Sequence, residues 1–453
     1  MAVKSNTPCS ESGIDWNFHL LSYGDPDAAY SNFINHFVKI FDNCFPLQKT
    51  SLKRKTSPRK PWITKGLIRS CCHKDKLYKQ FKLLPNITNK TKFTSYRNKL
   101  NKLLRKAQND YYAEKFRNFK SDVKQTWRLI RCILNNSNQI ELYDRIKIGD
   151  KTVCDKHKIA NEFNKYFINI GADLAKSCSD TGDSSEFKSF LNGDFKNSFS
   201  LYLTTPEEIS DIVAGMPPKS SSGYDEIPMH IMKFVIPFIA DPLSFIINSS
   251  FSNGIVPDHL KIAKVYPLFK SGDRCLLNNY RPISVLPSFS KIMEKLVYNR
   301  LMAYLTRHNI LYDYQFGFRS HHDTTLAVIE MIDRITAAID SKCYSLGIFI
   351  DLSKAFDSIN HQILLEKLHH YGIRGIAHKW FLSYLTNRQQ YVDINGYKST
   401  RMKISCGVPQ GSILGPLLFL IFVNDMANVS KLLHLILFAD DTNIFYLTAI
   451  LLI

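Results

Sequence analysis

The sequence predicts an α+β protein, with a basic helical region ahead of one large body of mixed helices and strands. Three observations carry this. Charge is concentrated: of 453 residues with net charge +19, residues 51–120 hold 21 Lys and Arg against Asp75, Asp110 and Glu114. Apolar residues recur at helical spacing in that region, and as strand-like runs beyond residue 200. Two such runs stop at aspartates, "IFID" at 348–351 and "LILFADD" at 435–441.

The bulk numbers narrow the function. Hydrophobic residues make up 45 % of the chain, enough for the cores of two or three domains. The excess of cations implies a polyanionic partner. Ten cysteines include one close cluster, "SCCHK" at 70–74, and no CxxC pair. That argues against structural zinc and suits a reducing compartment. No basic-then-apolar signal opens the chain, and the final ten residues, "IFYLTAILLI", are too few to span a bilayer. The expectation is an intracellular protein with no membrane role.

Along the chain, residues 1–50 read as a linker-like remnant with a helix in "DAAYSNFINHFVKIF". Residues 51–176 read as the basic helical region, entered through "KRKTSPRK" and "PWITKGLIRSCC". From Lys92 to Phe119, Leu100, Leu103, Leu104, Ala107 and Tyr111 keep helical spacing. Lys99, Lys102, Arg105 and Lys106 fall on the other faces, where they can rest on phosphates or simply stay solvated. Residues 177–199 are Ser/Gly/Asp-rich and form a boundary. From residue 200 to 453 one α+β body follows. It opens on "TTPEEISDIVAGM", where Thr205 caps, Pro206 fits the first turn and Glu208 completes the box.

Residues 345–350 read as a buried strand closed by Asp351, with a helix beginning near Lys354 and breaking at Tyr371-Gly372. Asp351 can cap that helix. Asp440-Asp441 can tip a hairpin turn, or share divalent cations that cancel their repulsion. A strand ending in Asp351 beside that hairpin would set three carboxylates at one sheet edge, an arrangement suited to a two-metal site. "GVPQGS" feeds a long apolar helix, and Gly411 and Gly415 leave its start bare for something flat to approach. Gln410 can bond a base or sugar, or cap the turn. Lys270 and Arg281 flank a Gly-Asp turn between extended runs and can clamp a triphosphate.

These blocks resemble the reverse transcriptase of non-LTR, LINE-like retrotransposons of the Jockey/CR1 kind. The matching stretches are "KSSSGYDEIP" (219–228), "VYPLFKSGDRCLLNNYRPISVLP" (265–287), "YQFGFRSHHDTTLAV" (314–328), "IFIDLSKAFDSINH" (348–361), "GVPQGSILGPLLFLIFVND" (407–425) and "FADDTN" (438–443). They occur in the family's order. The resemblance implies a right-hand polymerase with fingers and a ferredoxin-like palm, acting on an RNA template, a DNA primer and dNTPs. It carries two Mg²⁺ ions, for which Mn²⁺ can substitute, onto Asp351 and Asp440, with Asp441 beside them. It makes Phe356 the aromatic that excludes a 2′-hydroxyl. Gln410 and Gly411 become the turn that holds nucleotide and template, and Lys270 and Arg281 the triphosphate grip. An active element of this kind works in nucleus and cytoplasm. The family's N-terminal endonuclease motifs do not occur in residues 1–60, and the sequence stops ten residues after Asn443. The expectation is therefore an incomplete palm without primer grip or thumb. The alternative function is an inactive remnant that binds nucleic acid through its basic arm.

Overall fold

A computed structural model of the chain describes residues 24–46, 60–134, 143, 145–149, 151–178 and 186–449. Residues 53–59 of the basic linker, 179–185 of the polar boundary and 450–453 of the apolar tail lie outside the described residues. Two compact units divide the chain, Pro46–Leu142 and the flanking segments Met1–Phe45 with Tyr143–Ile453.

The flanking unit begins with α1 (Pro26–Cys44), capped by Asp25 and carrying proline in its first turn, as helix starts favour. The Pro46–Leu142 unit is helical. It holds α2 (Lys65–Leu83), α3 (Ile87–Asn118) and α4 (Val123–Ile133). Thr64, Asn86 and Asp122 cap them by accepting from Leu67, Asn89 and Gln125 N–H groups. Phe93 of α3 meets Tyr78 and Phe81 of α2 at 5.2 and 6.4 Å between ring centroids. The expected apolar stripe is narrower than its spacing implies. Leu100 is buried and Leu104, Ala107 and Tyr111 are half-buried, but Leu103 is 56 % exposed. A 3.6-residue turn rotates Leu103 off the line of the other four, onto the charged face.

The larger unit continues with the short hairpin β1 (Ile146–Ile148) and β2 (Lys151–Val153), then α5 (Lys156–Cys178). Helix α6 (Pro206–Gly215) starts where its sequence says, with the Thr205 hydroxyl accepting from Glu208 N–H. The Glu208 carboxylate does not close the expected box. It takes a bidentate pair from the buried Arg300, at 2.9 and 2.8 Å, which outweighs a single backbone N–H. Helix α7 (Met229–Asn253) is the one helix among the described residues long and apolar enough to cross a membrane, and half of its apolar window is buried in the core.

Strands β3 (Ile262–Phe269) and β4 (Tyr280–Val285) form a hairpin and α8 (Ser288–Arg307) follows. Next come α9 (Thr324–Asp340), β5 (Tyr344–Asp351), α10 (His361–His370) and α11 (Gly375–Leu385). The chain then adds β6 (Gln389–Ile394), β7 (Tyr397–Lys398), β8 (Met402–Lys403), α12 (Leu414–Val423), β9 (Leu433–Phe438) and β10 (Asp441–Thr448).

Two sheets result besides the small β1–β2 hairpin. One runs β4-β3-β6-β7, with β8 also on β6 and a parallel step between β3 and β6. Helix α5 covers it, and Asn164 donates to Thr400 O at 2.9 Å. The other sheet is β5-β10-β9. The main core joins α1, α6, α7, α8, α10, α11 and α12, with Phe289 packed edge-on to Phe33 and Phe37 at 5.5 Å. This is a mixed α/β architecture.

Two sequence expectations change here. β5 is an edge strand and not a buried one, and all eight of its residues are exposed. It pairs on one side only, so a run of apolar residues alone does not distinguish a central strand from a bare edge. The helix after it begins at His361, seven residues later than expected, with Asn360 as its cap. Residues 353–357 form turns instead, so Asp351 caps no helix.

Candidate active site

β5 and β10 run antiparallel in register, from Tyr344 opposite Thr448 to Asp351 opposite Asp441. β10 also pairs with β9, and Phe438 opposite Asp441 leaves Ala439-Asp440 as a two-residue turn. Directly opposed residues place their Cβ atoms about 4.5–5.5 Å apart on one face of a sheet. Asp351 and Asp441 therefore face each other, and Asp440 sits in the adjoining turn. Among the described residues no ion pair or side-chain hydrogen bond neutralises any of these three carboxylates. A groove of about 410 Å³ lies beside them, lined by Asp351, Asp441, Phe349 and Asn443 and walled by Thr324 and Ala327 of α9.

The donor set suits a hard cation, since Mg²⁺ usually binds through one or two carboxylates together with substrate phosphates. Among the described residues no group of three or more His, Cys, Asp or Glu is gathered so as to hold a metal ion by itself. The Asp351–Asp441 pair, with Asp440 adjoining, thus fits an ion that completes its shell from a substrate.

The loop after β5 brings in residues that spacing alone did not single out. Lys354 lies at a left-handed φ of 56° in the 353–357 turns. Burial pushes its amine down, Asp357 pulls it up, and the Lys270 and Arg281 cations push it down again. The charges of Lys270 and Arg281 on the β3–β4 hairpin thus reach the Lys354 amine. Lys270 and Arg281 themselves are exposed on the β3–β4 hairpin, where Lys270 N–H donates to Asn279 O at 2.8 Å. Phe356 is half-buried, stacked on Phe419 of α12 at 5.0 Å and edge-on to Phe318 at 5.9 Å.

Gln410 points inward. Its side-chain amide donates to Asp357 Oδ2 at 2.7 Å, while its backbone carbonyl accepts from Ser284 N–H of β4 at 2.8 Å. Burial pushes the Asp357 carboxyl up to about 6, against the charge-stabilising Gln410 bond and Lys354. The bare backbone expected at Gly411 and Gly415 is filled by the protein itself. Gly411 has φ 126°, and a Cβ there would collide with the Ser284 carbonyl. A Cβ on Gly415 would lie 2.5 Å from the Ser412 hydroxyl oxygen. These glycines let the turn dock on β4 and begin α12. The helix N-terminus is also engaged, because the buried Glu294 accepts from Ile413 N–H at 2.6 Å and Leu414 N–H at 3.4 Å.

In the helical unit Lys99, Lys102, Arg105 and Lys106 are all exposed along α3. Lys354 and Asp357 were within reach of sequence reasoning, as two opposite charges bracketing Phe356 in "SKAFD". Their joint placement depends on a turn that apolar periodicity does not signal.

Residues 269–449 match the family described as reverse transcriptase (RNA-dependent DNA polymerase). The chain is 33 % identical over 245 residues to the RNA-directed DNA polymerase from mobile element jockey of Drosophila melanogaster, covering 53 % of this chain and 26 % of that protein. It is 34 % identical over 255 residues to the probable RNA-directed DNA polymerase from transposon BS of the same fly, covering 53 % and 27 %. A Pol polyprotein from type-1 retrotransposable element R1 of Bradysia coprophila is 27 % identical over 247 residues, covering 52 % and 24 %. The chain thus spans about a quarter of the length of the curated relatives it matches. Residues 269–449 form a reverse-transcriptase-like domain related to those of Jockey- and R1-type non-LTR retrotransposons.

Proposed function

We propose that the chain carries the RNA-directed DNA polymerase activity of a non-LTR retrotransposon. The reaction is attack of a primer 3′-hydroxyl on the α-phosphate of a dNTP, with release of pyrophosphate. The observation that carries this reading is the opposed pair Asp351–Asp441 lining a groove, with Asp440 in the adjoining turn, and none of the three paired with a cation among the described residues. In this reading β5, β9 and β10 belong to the palm, and the β3–β4 hairpin belongs to the fingers.

Asp351, Asp440 and Asp441 would hold Mg²⁺. Bound there, the ions lower the pKa of the attacking hydroxyl and offset charge on the phosphate oxygens. Lys270, Arg281 and Lys354 hold the triphosphate by charge and, for Arg281, by a fork of donors. Phe356, braced by Phe419, sits under the sugar and excludes a 2′-hydroxyl by overlap. Gln410, held by Asp357, fixes the turn against which the nucleotide rests. No side-chain nucleophile is needed, because positioning and preorganised charge supply most of the barrier lowering.

A second reading is favoured by one separate observation, the exposed cations of α3 in the helical unit. It makes that unit a sequence-tolerant RNA or DNA binder whether or not the larger unit polymerises.

The test is extension of a DNA primer on an RNA template by the purified chain with Mg²⁺ and four dNTPs, beside Asp351→Asn. Template-dependent product that the substitution removes supports polymerisation. Equal incorporation by both proteins would overturn the assignment of Asp351. RNA retention without any incorporation by either would favour the binding reading alone.

A further inference from the structure

The segment "YQFGFR" at 314–319 has no role in the mechanism above, yet it packs directly on β9 and on the turn that carries Asp440. Residues 314–316 lie along β9: Leu437 N–H donates to Tyr314 O at 2.9 Å and Phe316 N–H donates to Leu437 O at 2.7 Å, a parallel bridge centred on Gln315 and Leu437. The Gln315 side chain is 3 % exposed. Its Oε1 accepts from Gly317 N–H at 2.9 Å and from Ala439 N–H at 3.0 Å. Its Nε2 is buried and has no hydrogen-bond partner among the described residues. Gly317 packs so closely on Ala439 that a Cβ at 317 would collide with the Ala439 nitrogen. Arg319 ties the segment together by donating to Tyr312 O at 2.8 Å and to Asp313 and Gln315 carbonyls at 3.4 Å.

Ala439 is the first residue of the two-residue turn and has φ 57°. A residue with a Cβ holds that left-handed conformation only where its surroundings over-determine it. A glycine would adopt it freely, and the chain uses alanine. The restraint on the turn comes from Gln315 and Gly317. The cost of leaving the Gln315 Nε2 group buried and unbonded is further reason to look for a specific duty in its oxygen.

We propose that Gln315 is a positioning residue for the metal-holding carboxylates: by accepting the Ala439 N–H it locks the strained turn that aims Asp440 and Asp441 at the site. This rests on Asp440 and Asp441 being the metal-holding residues. The lock itself is a structural relation and can be read without any catalysis.

The experiment uses the whole chain and two readouts, hydrogen exchange of the 433–445 hairpin by mass spectrometry and Mn²⁺ binding by electron paramagnetic resonance. Gln315→Met keeps the bulk and removes the acceptor. It should speed hairpin exchange about ten-fold, as expected for one buried N–H left unsatisfied, and weaken Mn²⁺ by a similar factor. Exchange in α10 (His361–His370) should not change. Gln315→Glu keeps the accepting oxygen and should return hairpin exchange to within about three-fold of the starting protein. Unchanged hairpin exchange in Gln315→Met, or no rescue by Gln315→Glu, overturns the inference. If Gln315→Met and the shorter Gln315→Asn both lose protection throughout the chain, Gln315 is a core-packing residue and the inference also falls. Asp440→Asn separates the two layers. Unaltered Mn²⁺ binding in that variant would remove the metal reading of Asp440, while hairpin exchange would still decide whether Gln315 locks the turn.

Discussion

The Gln410 amide donates a 2.7 Å hydrogen bond to the Asp357 carboxylate, joining the turn after β5 to the turn before α12. These turns carry Phe356 on one side and Gly411 on the other, so one part-buried pair sets the distance between two walls of the proposed nucleotide site. Gln410 is therefore committed inward, and it supports the site through the backbone it holds.

That pair gives a pH signature. Burial raises the Asp357 carboxyl to about 6, while an unfolded aspartate titrates near 3.9, so between about pH 4 and 6 the folded state holds the extra proton. Its contribution to stability is present below that window and is lost as pH rises through it. Two units correspond to about 3 kcal/mol at most. Asp357→Asn cannot ionise, so it should gain stability relative to the starting protein as pH rises through that window, and the gap should level off above it. Urea unfolding at several pH values checks this; parallel curves would mean that Asp357 is solvated.

The carboxylates should all matter to extension. Asp351→Asn and Asp440→Asn should each lower primer extension by at least about 10³-fold, roughly 4 kcal/mol of barrier, with RNA binding largely intact. Asp441→Asn should also lower it, because Asp441 stands directly opposite Asp351. A structure with Mg²⁺ and a dNTP offers a second check. Paired ions sit about 4 Å apart, so Asp351 and Asp440 carboxylates more than about 8 Å from each other would remove the shared site.

Phe356 should govern sugar choice. Phe356→Val opens the space where a 2′-oxygen would lie and should raise rNTP use relative to dNTP by about ten-fold or more, or 1.4 kcal/mol. The same change removes the stack on Phe419 and should cost about 1–3 kcal/mol of stability, which denaturant unfolding measures. Unchanged discrimination with lowered stability would make the ring a packing residue only.

The helical unit should bind phosphate backbones with little sequence preference. If it neutralises six to ten phosphates, affinity for an RNA hairpin should fall roughly 10³–10⁵-fold between 50 and 200 mM salt. Replacing Lys99, Lys102, Arg105 and Lys106 together by Gln should weaken binding and flatten the salt slope by up to about four charges' worth. A fluorescence titration at several salt concentrations, with circular dichroism to verify helicity, decides this. A helical protein that binds no better after restoring those four residues would leave them as a solvated face.

Much was legible in the sequence because it rests on local physics. The helix start at Thr205-Pro206 follows from side-chain capping and a fixed proline φ. The β3–β4 hairpin around Lys270 and Arg281, and the β9–β10 hairpin at Asp440, follow from apolar runs broken by turn residues. The charge-rich stretch 51–120 falls inside the Pro46–Leu142 unit, whereas the basic helical region read from the sequence runs on to residue 176, past the end of that unit. Asp351, Asp440 and Asp441 also stand out by residue type alone, since carboxylates closing apolar runs are costly unless solvated or shared with a cation.

Tertiary structure decided the rest. It placed Asp351 opposite Asp441, because register between strands nearly a hundred residues apart depends on which faces pack and not on either strand alone. It left β5 as an exposed edge, since the number of neighbours a strand acquires is a property of the sheet. It turned Gln410 inward to Asp357 and filled the space above Gly411 with the Ser284 carbonyl. It also set Gln315 against Ala439, a contact across 124 residues that no periodicity announces. Spacing reports what a residue can do within a few turns of chain; which distant backbone group it meets is fixed only when the whole core closes around it.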